Sequence, residues 1–146
     1  MRKMIRILLM LCAVTALLAA GAQASGTTVV HAGDADTLMS YLKDGAHDLE
    51  ITLDGNKDYV VYSTYINQQG EERKQGFTVE NLSNVAIRGQ EGTRILTPAE
   101  CGGYAVLTFV NCQNVTLDTL SVGHQDSWCD APVLALAGST GVEILN

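Results

Sequence analysis

The chain has 146 residues, 16 acidic against 9 basic side chains, a net charge of −7 and a hydrophobic fraction of 47%. That length and composition fit one domain with a packed core and exclude a disordered chain. The acidic balance excludes nucleic acid as a partner, because phosphate contacts need a basic face, and 5% aromatics supply no stacking platform for single strands.

At the N-terminus, Arg2, Lys3 and Arg6 form a short basic segment, and residues 7–20 form an apolar run of 14. The run is too short to span a bilayer comfortably, and Ala22-Gln23-Ala24 supplies a small-x-small cleavage pattern. Residues 1–24 therefore read as a secretory signal peptide. Met10-Leu11 before Cys12 lacks the small residues that lipoprotein processing requires. No later segment approaches the length of a membrane span, so the mature chain is expected to be secreted, periplasmic or on the cell surface. Its three cysteines, Cys101, Cys112 and Cys129, show no C-x-x-C spacing, and an odd count leaves one thiol without a partner in the chain.

Residues 25–48 are expected to form an N-terminal cap. The β-branched run 27–31 predicts a strand. Asp34 or Asp36 then predicts the N-cap of a short helix carrying Leu38, Tyr41 and Leu42, stopped by Gly45.

The decisive feature is a repeat. Segments 77–88, 107–118 and 134–145 align without gaps. Their apolar columns are Phe77/Leu107/Leu134, Val79/Phe109/Leu136, Leu82/Cys112/Ser139, Val85/Val115/Val142 and Ile87/Leu117/Ile144. Between them stand Asn81/Asn111/Gly138 and Asn84/Asn114/Gly141, residues that tolerate left-handed backbone. A fourth, weaker copy is read at Ile51, Leu53, Asn56, Tyr59 and Val61. The +2 spacings are strand alternation and the +3 spacings cross a bend. Each copy is thus strand, bend, strand, with an apolar face that only stacking can bury. Segments 89–106 and 119–132 supply the returns that parallel pairing needs, with Leu120 and Val122 as a third strand. Both Asn81-Leu82-Ser83 and Asn114-Val115-Thr116 match the glycosylation acceptor pattern, but they fall inside the repeat and read as structural.

Residues 49–146 resemble the right-handed parallel β-helix superfamily, the pectate-lyase-like fold. The resemblance is closest in Asn111-Cys112-Gln113-Asn114-Val115-Thr116-Leu117, followed by Gly123-His124, Cys129 and Val133-Leu134. It is similar to exported bacterial members whose activity is mostly unassigned. It implies an all-β fold, a right-handed parallel β-helix of about four coils behind a short capping strand and helix, incomplete at the C-terminus. That scaffold hosts lyases, hydrolases, epimerases and adhesins, so it implies no single function.

Outward columns hold the candidate site residues. Thr52, Thr78, Thr108 and Ala135 form one column, read as β-propensity on a solvated sheet. Asp54 and Glu80 in a second would be neighbouring carboxylates and weak calcium ligands. A third holds Tyr62, Arg88, Asp118 and Leu145, with Arg88 and Asp118 as a cross-strand ion pair. The densest polar cluster is 123–130, where His124 is a candidate general base with Asp126 or Asp130 as orienter, beside Trp128 and Cys129. Polygalacturonase-like members of the superfamily carry Gly-His-Gly and several aspartates; here Gly123-His124 is followed by Gln125 and the aspartate set is missing. Pectate-lyase-like members use calcium-binding carboxylates and a basic residue as base, of which Arg88 with Asp118 resembles a remnant. Tyr59, Tyr62 and Tyr65 lie near the polar run 67–75, read as a projecting loop whose tyrosines stack on sugars or cover a sheet edge. His31 and His47 have no partners in sequence.

Two functions fit. One is a non-catalytic exported module binding glycans or surface polymers. The alternative is the N-terminal fragment of a polysaccharide lyase or glycoside hydrolase acting on acidic polysaccharides. The final repeat, followed by one residue, is also expected to leave an open apolar end that self-associates end to end.

Overall fold

In a computed structural model, residues 26–101, 103–125 and 130–146 are described. Residues 1–24, expected to be a signal peptide, and Asp126, Trp128 and Cys129 lie outside them. Strands dominate: β1 (Thr28–Ala32), β2 (His47–Leu53), β3 (Asp58–Val60), β4 (Ser63–Ile66), β5 (Glu72–Gln75), β6 (Phe77–Glu80), β7 (Ser83–Arg88), β8 (Arg94–Thr97), β9 (Leu107–Val110), β10 (Gln113–Asp118), β11 (Ser121–His124), β12 (Leu134–Ala137) and β13 (Thr140–Leu145). One helix, α1 (Ala35–Tyr41), follows β1, and a 3-10 turn covers Ala99–Cys101.

The strands form three separate parallel sheets, ordered β1-β2-β7-β10-β13, β3-β8-β11 and β6-β9-β12, plus the antiparallel hairpin β4-β5. From β6 onward the chain visits these sheets in a fixed cycle. Each strand therefore pairs with its counterpart one circuit away, an arrangement compatible with a β-helix-like fold.

The expected columns appear in register. Val85, Val115 and Val142 align, as do Ile87, Leu117 and Ile144, and Phe77, Leu107 and Leu134. The first two members of each column are buried in one hydrophobic cluster. Cys112 is buried beneath Ser139, whose hydroxyl accepts from the Cys112 amide at 2.9 Å. Cys101 is likewise a buried free thiol.

The bends owe their shape to residues that accept positive φ. Asn81, Asn84, Asn111 and Asn114 sit at φ 52–55°, and Gly138 and Gly141 at 63° and 64°. The amides also form a ladder: Asn114 Nδ2 donates to Asn84 Oδ1 at 3.0 Å, and Asn84 Nδ2 to Asp48 Oδ1 at 2.9 Å. Asn81 Nδ2 donates to Asp44 Oδ1 at 2.7 Å. Both glycosylation-pattern asparagines thus have their amides engaged. Asn114→Ala removes a ladder rung and places a Cβ residue without local hydrogen bonding in left-handed backbone. A loss of about 1–3 kcal/mol is expected from urea unfolding.

The fourth copy is aligned differently from the sequence reading. Ile51 pairs with Ile87, Leu49 with Val85 and Thr52 with Arg88, so β2 belongs to the second strand of the repeat, not the first. Asp48, at φ 50°, takes the place of Asn84 and Asn114. The threonine column therefore contains Thr78 and Thr108 with Ala135 but not Thr52. Tyr59 and Val60 pair with Ile95 and Leu96 in another sheet. The cause is the β4-β5 hairpin, inserted between β3 and β6, which lengthens this circuit.

At the N-terminal side, Asp34 caps α1 by accepting from the Thr37 amide at 2.7 Å. The helix lays Leu38 and Leu42 onto the main cluster. At the other side, Leu136 is 56% and Ile144 53% exposed, although their column neighbours Phe109 and Leu117 are buried.

Candidate functional site

The outer face of β2, β7 and β10 carries an ion cluster. Arg88 Nε lies 3.2 Å from Glu50 Oε2, and Arg88 Nη1 contacts Asp118 Oδ2. The column is His31, Thr52, Arg88, Asp118 and Leu145; Tyr62 is not in it. Hydrogen bonding to Glu50, then the charges of Glu50 and Asp118, raise the Arg88 pKa further. A guanidinium held between two carboxylates keeps its proton, so Arg88 here is a poor general base.

Asp54 and Glu80 are not brought together. Asp54 follows β2 and lies 3.3 Å from His31 Nε2 and 3.5 Å from Lys57 Nζ. Glu80 ends β6 in another sheet, where its carbonyl accepts from the Gly45 amide. The expectation that they neighbour each other as weak calcium ligands does not match the strand pairing, and no group of three His, Cys, Asp or Glu among the described residues is placed to hold a metal. The source of that expectation is the misaligned first copy, which put both carboxylates in one column.

His124 points into the stack rather than out. Its partner in register is Thr97, which is fully buried. Thr97 Oγ1 and His124 Nδ1 are 3.1 Å apart, while Nε2 is buried without a hydrogen-bond partner. His124 lies on a different sheet from Arg88 and Asp118. Asp130 is exposed, and Asp126 falls outside the described residues.

A cluster that the sequence marked only in part forms around the hairpin. Lys74 Nζ on β5 lies 2.7 Å from Glu100 Oε1 and 4.6 Å from the centroid of the Tyr62 ring. Tyr65 on β4 meets Tyr104 edge-on with centroids 6.3 Å apart, and their hydroxyls are 3.0 Å apart. Between β5 and the Ala99–Cys101 turn lies a cavity of about 360 Å³ lined by Glu72, Arg73, Lys74 and Glu100. Hydrogen bonding to Glu100 raises the Lys74 pKa, and hydrogen bonding to Tyr65 raises that of Tyr104. Burial raises that of Cys101, so its thiol stays protonated and inert. Sequence pointed to the tyrosines and the Glu71-Glu72-Arg73-Lys74 run, but Glu100 and Tyr104 come from a distant loop with no periodicity linking them.

A second cleft, of about 300 Å³, is lined by Gln90, Glu91, Gly92, Thr93, Thr119, Leu120, Ser121 and Asn146. Only Thr119 and Leu120 join β10 to β11, whereas residues 89–93 join β7 to β8. Thr119 adopts φ 53°, uncommon for a β-branched residue.

No protein-family model matches the chain, and neither curated proteins nor solved structures give a match. The functional reading therefore rests on these residues alone.

Two carboxylates respond to pH in a direction the structure sets. The Thr37 amide lowers the Asp34 pKa, and the Asn84 amide, then His47, lowers that of Asp48. A carboxylate whose folded pKa lies below its unfolded value contributes stability above the unfolded pKa, about 3.9, and loses it as pH falls through the folded value. Urea midpoints should therefore fall between pH 5 and pH 2. The fall should be shallower in Asp48→Asn, which has no such proton to take up.

Proposed function

We propose that the chain is an exported module with a right-handed parallel β-helix fold that binds polysaccharide along its side without cleaving it. The observation that carries this reading is the cavity beside the hairpin, lined by two cations and two carboxylates, with the Tyr65–Tyr104 pair on the same hairpin and loop. Such a mixture of aromatic surface with donors and acceptors suits a polyhydroxylated ligand. The cyclic strand order and the asparagine bends support the β-helix, and the basic, apolar and small-residue segments of 1–24 support export. A glycan array probed with the folded full chain tests the binding: reproducible saccharide hits support it, and an empty array contradicts it.

The alternative, the N-terminal fragment of a lyase or hydrolase acting on acidic polysaccharides, draws on the resemblance of the fold and would need a base other than Arg88, which Glu50 and Asp118 hold. Release of unsaturated uronate from polygalacturonate, with and without calcium, would support it. The proposal also includes self-association through the β11-β12-β13 edge, where Leu136 and Ile144 are exposed. Light scattering at rising concentration should show a growing mass; a constant monomer mass contradicts it.

A further inference from the structure

We infer that the cavity between β5 and the Ala99–Cys101 turn is a subsite for a neutral sugar unit, not a uronate; this rests on the glycan-binding reading above. Its lining contains two carboxylates, Glu72 and Glu100, and two cations, Arg73 and Lys74. Each cation already faces one protein carboxylate. Lys74 Nζ lies 2.7 Å from Glu100, and Arg73 Nη2 lies 2.5 Å from Glu71. Glu72 has no ion pair among the described residues. A ligand carboxylate would compete with these protein carboxylates for the remaining donors and sit beside Glu72, on a chain whose net charge is −7. Neighbouring sugar hydroxyls face no such opposition. Each donates to a carboxylate oxygen while accepting from a guanidinium or ammonium, and all four lining side chains are of these kinds.

The surroundings hold the cavity open in one shape. The Tyr62 ring beneath Lys74 and the carboxylate of Glu100 fix the ammonium from two sides. Tyr65 faces Arg73 across the hairpin ladder, and its hydroxyl contact with Tyr104 ties the hairpin to the loop that also carries Glu100. These two links span the same gap, so little ordering is left for the ligand to impose. Tyr104, which is outside the lining but meets Tyr65 opposite Arg73, is 40% exposed, which leaves ring surface available to the C–H face of a longer saccharide. A volume of about 360 Å³ is at the lower end of small-molecule sites and limits the occupant to a short stretch of polymer.

The test is affinity electrophoresis of the full chain in native gels cast with neutral polymers (glucan, mannan, galactan) or with polygalacturonate. Retardation is expected in at least one neutral gel, with little dependence on salt. Glu72→Gln, which changes only an exposed side chain, and Tyr104→Ala should each bind at least tenfold more weakly, with thermal melts confirming that both variants fold. Tyr104→Phe should retain most of the binding through its ring. Retardation confined to polygalacturonate and abolished by salt overturns the inference. So does unchanged binding by Glu72→Gln and Tyr104→Ala, which would place the glycan elsewhere and leave the broader reading standing. No retardation in any gel overturns both.

Discussion

Gly76→Ala is expected to destabilise the protein by more than about 3 kcal/mol, beyond ordinary overpacking, because the obstacle is main chain. Gly76 precedes β6, and a Cβ there would overlap the carbonyl of Ala105 in the next circuit. The two segments have no freedom to separate, since the Phe77 amide donates to the Val106 carbonyl at 2.9 Å. The control is Gly103→Ala, whose added Cβ meets nothing within 4 Å. That change should be within about 1 kcal/mol of neutral. Urea unfolding of the two variants measures both, and equal midpoints would contradict the close stacking of β6 on β9.

Leu117→Ala is expected to cost about 2–5 kcal/mol, the range for a large buried aliphatic. Leu117 is fully buried between Ile87 and Ile144 in the column. Thr116, its neighbour, faces outward between Ala86 and Glu143, and Thr116→Ala should cost under about 1 kcal/mol. Ile144→Ala should also cost little by comparison, because Ile144 is 53% exposed. A larger loss for Thr116 than for Leu117 would mean a one-residue slip, with every side chain on β10 turned to the other face.

The middle of the fold was legible because its bends leave a chemical trace. Positive φ favours Asn, Gly or Asp, so Asn81, Asn111 and Gly138, with Asn84, Asn114 and Gly141, stand out at fixed distances from apolar columns. The same trace exists in the first circuit at Gly45 and Asp48, followed by Leu49 and Ile51 at the usual spacing. It was missed because Asp48 substitutes for Asn and the hairpin changes the repeat length. The error moved Thr52, Asp54 and Tyr62 into columns they do not occupy.

The candidate site was legible only in part. Arg88 and Asp118 could be paired from the columns because neighbouring strands fix their spacing. His124 was read as part of a polar cluster and a candidate general base, yet β11 extends to it and the alternation of β8 and β11 places it over buried Thr97. The hairpin cluster depends on how an insertion folds back onto the loop carrying Glu100 and Tyr104. Local spacing carries no information about that contact.

The most direct test of binding without cleavage is isothermal titration calorimetry of the full chain with a soluble neutral oligosaccharide that hits on the glycan array. The account predicts heats that decay to baseline after each injection and saturate at one site per chain. Sustained heat flow after injection would reveal turnover, and no heat across several temperatures would reveal no binding; either result contradicts it.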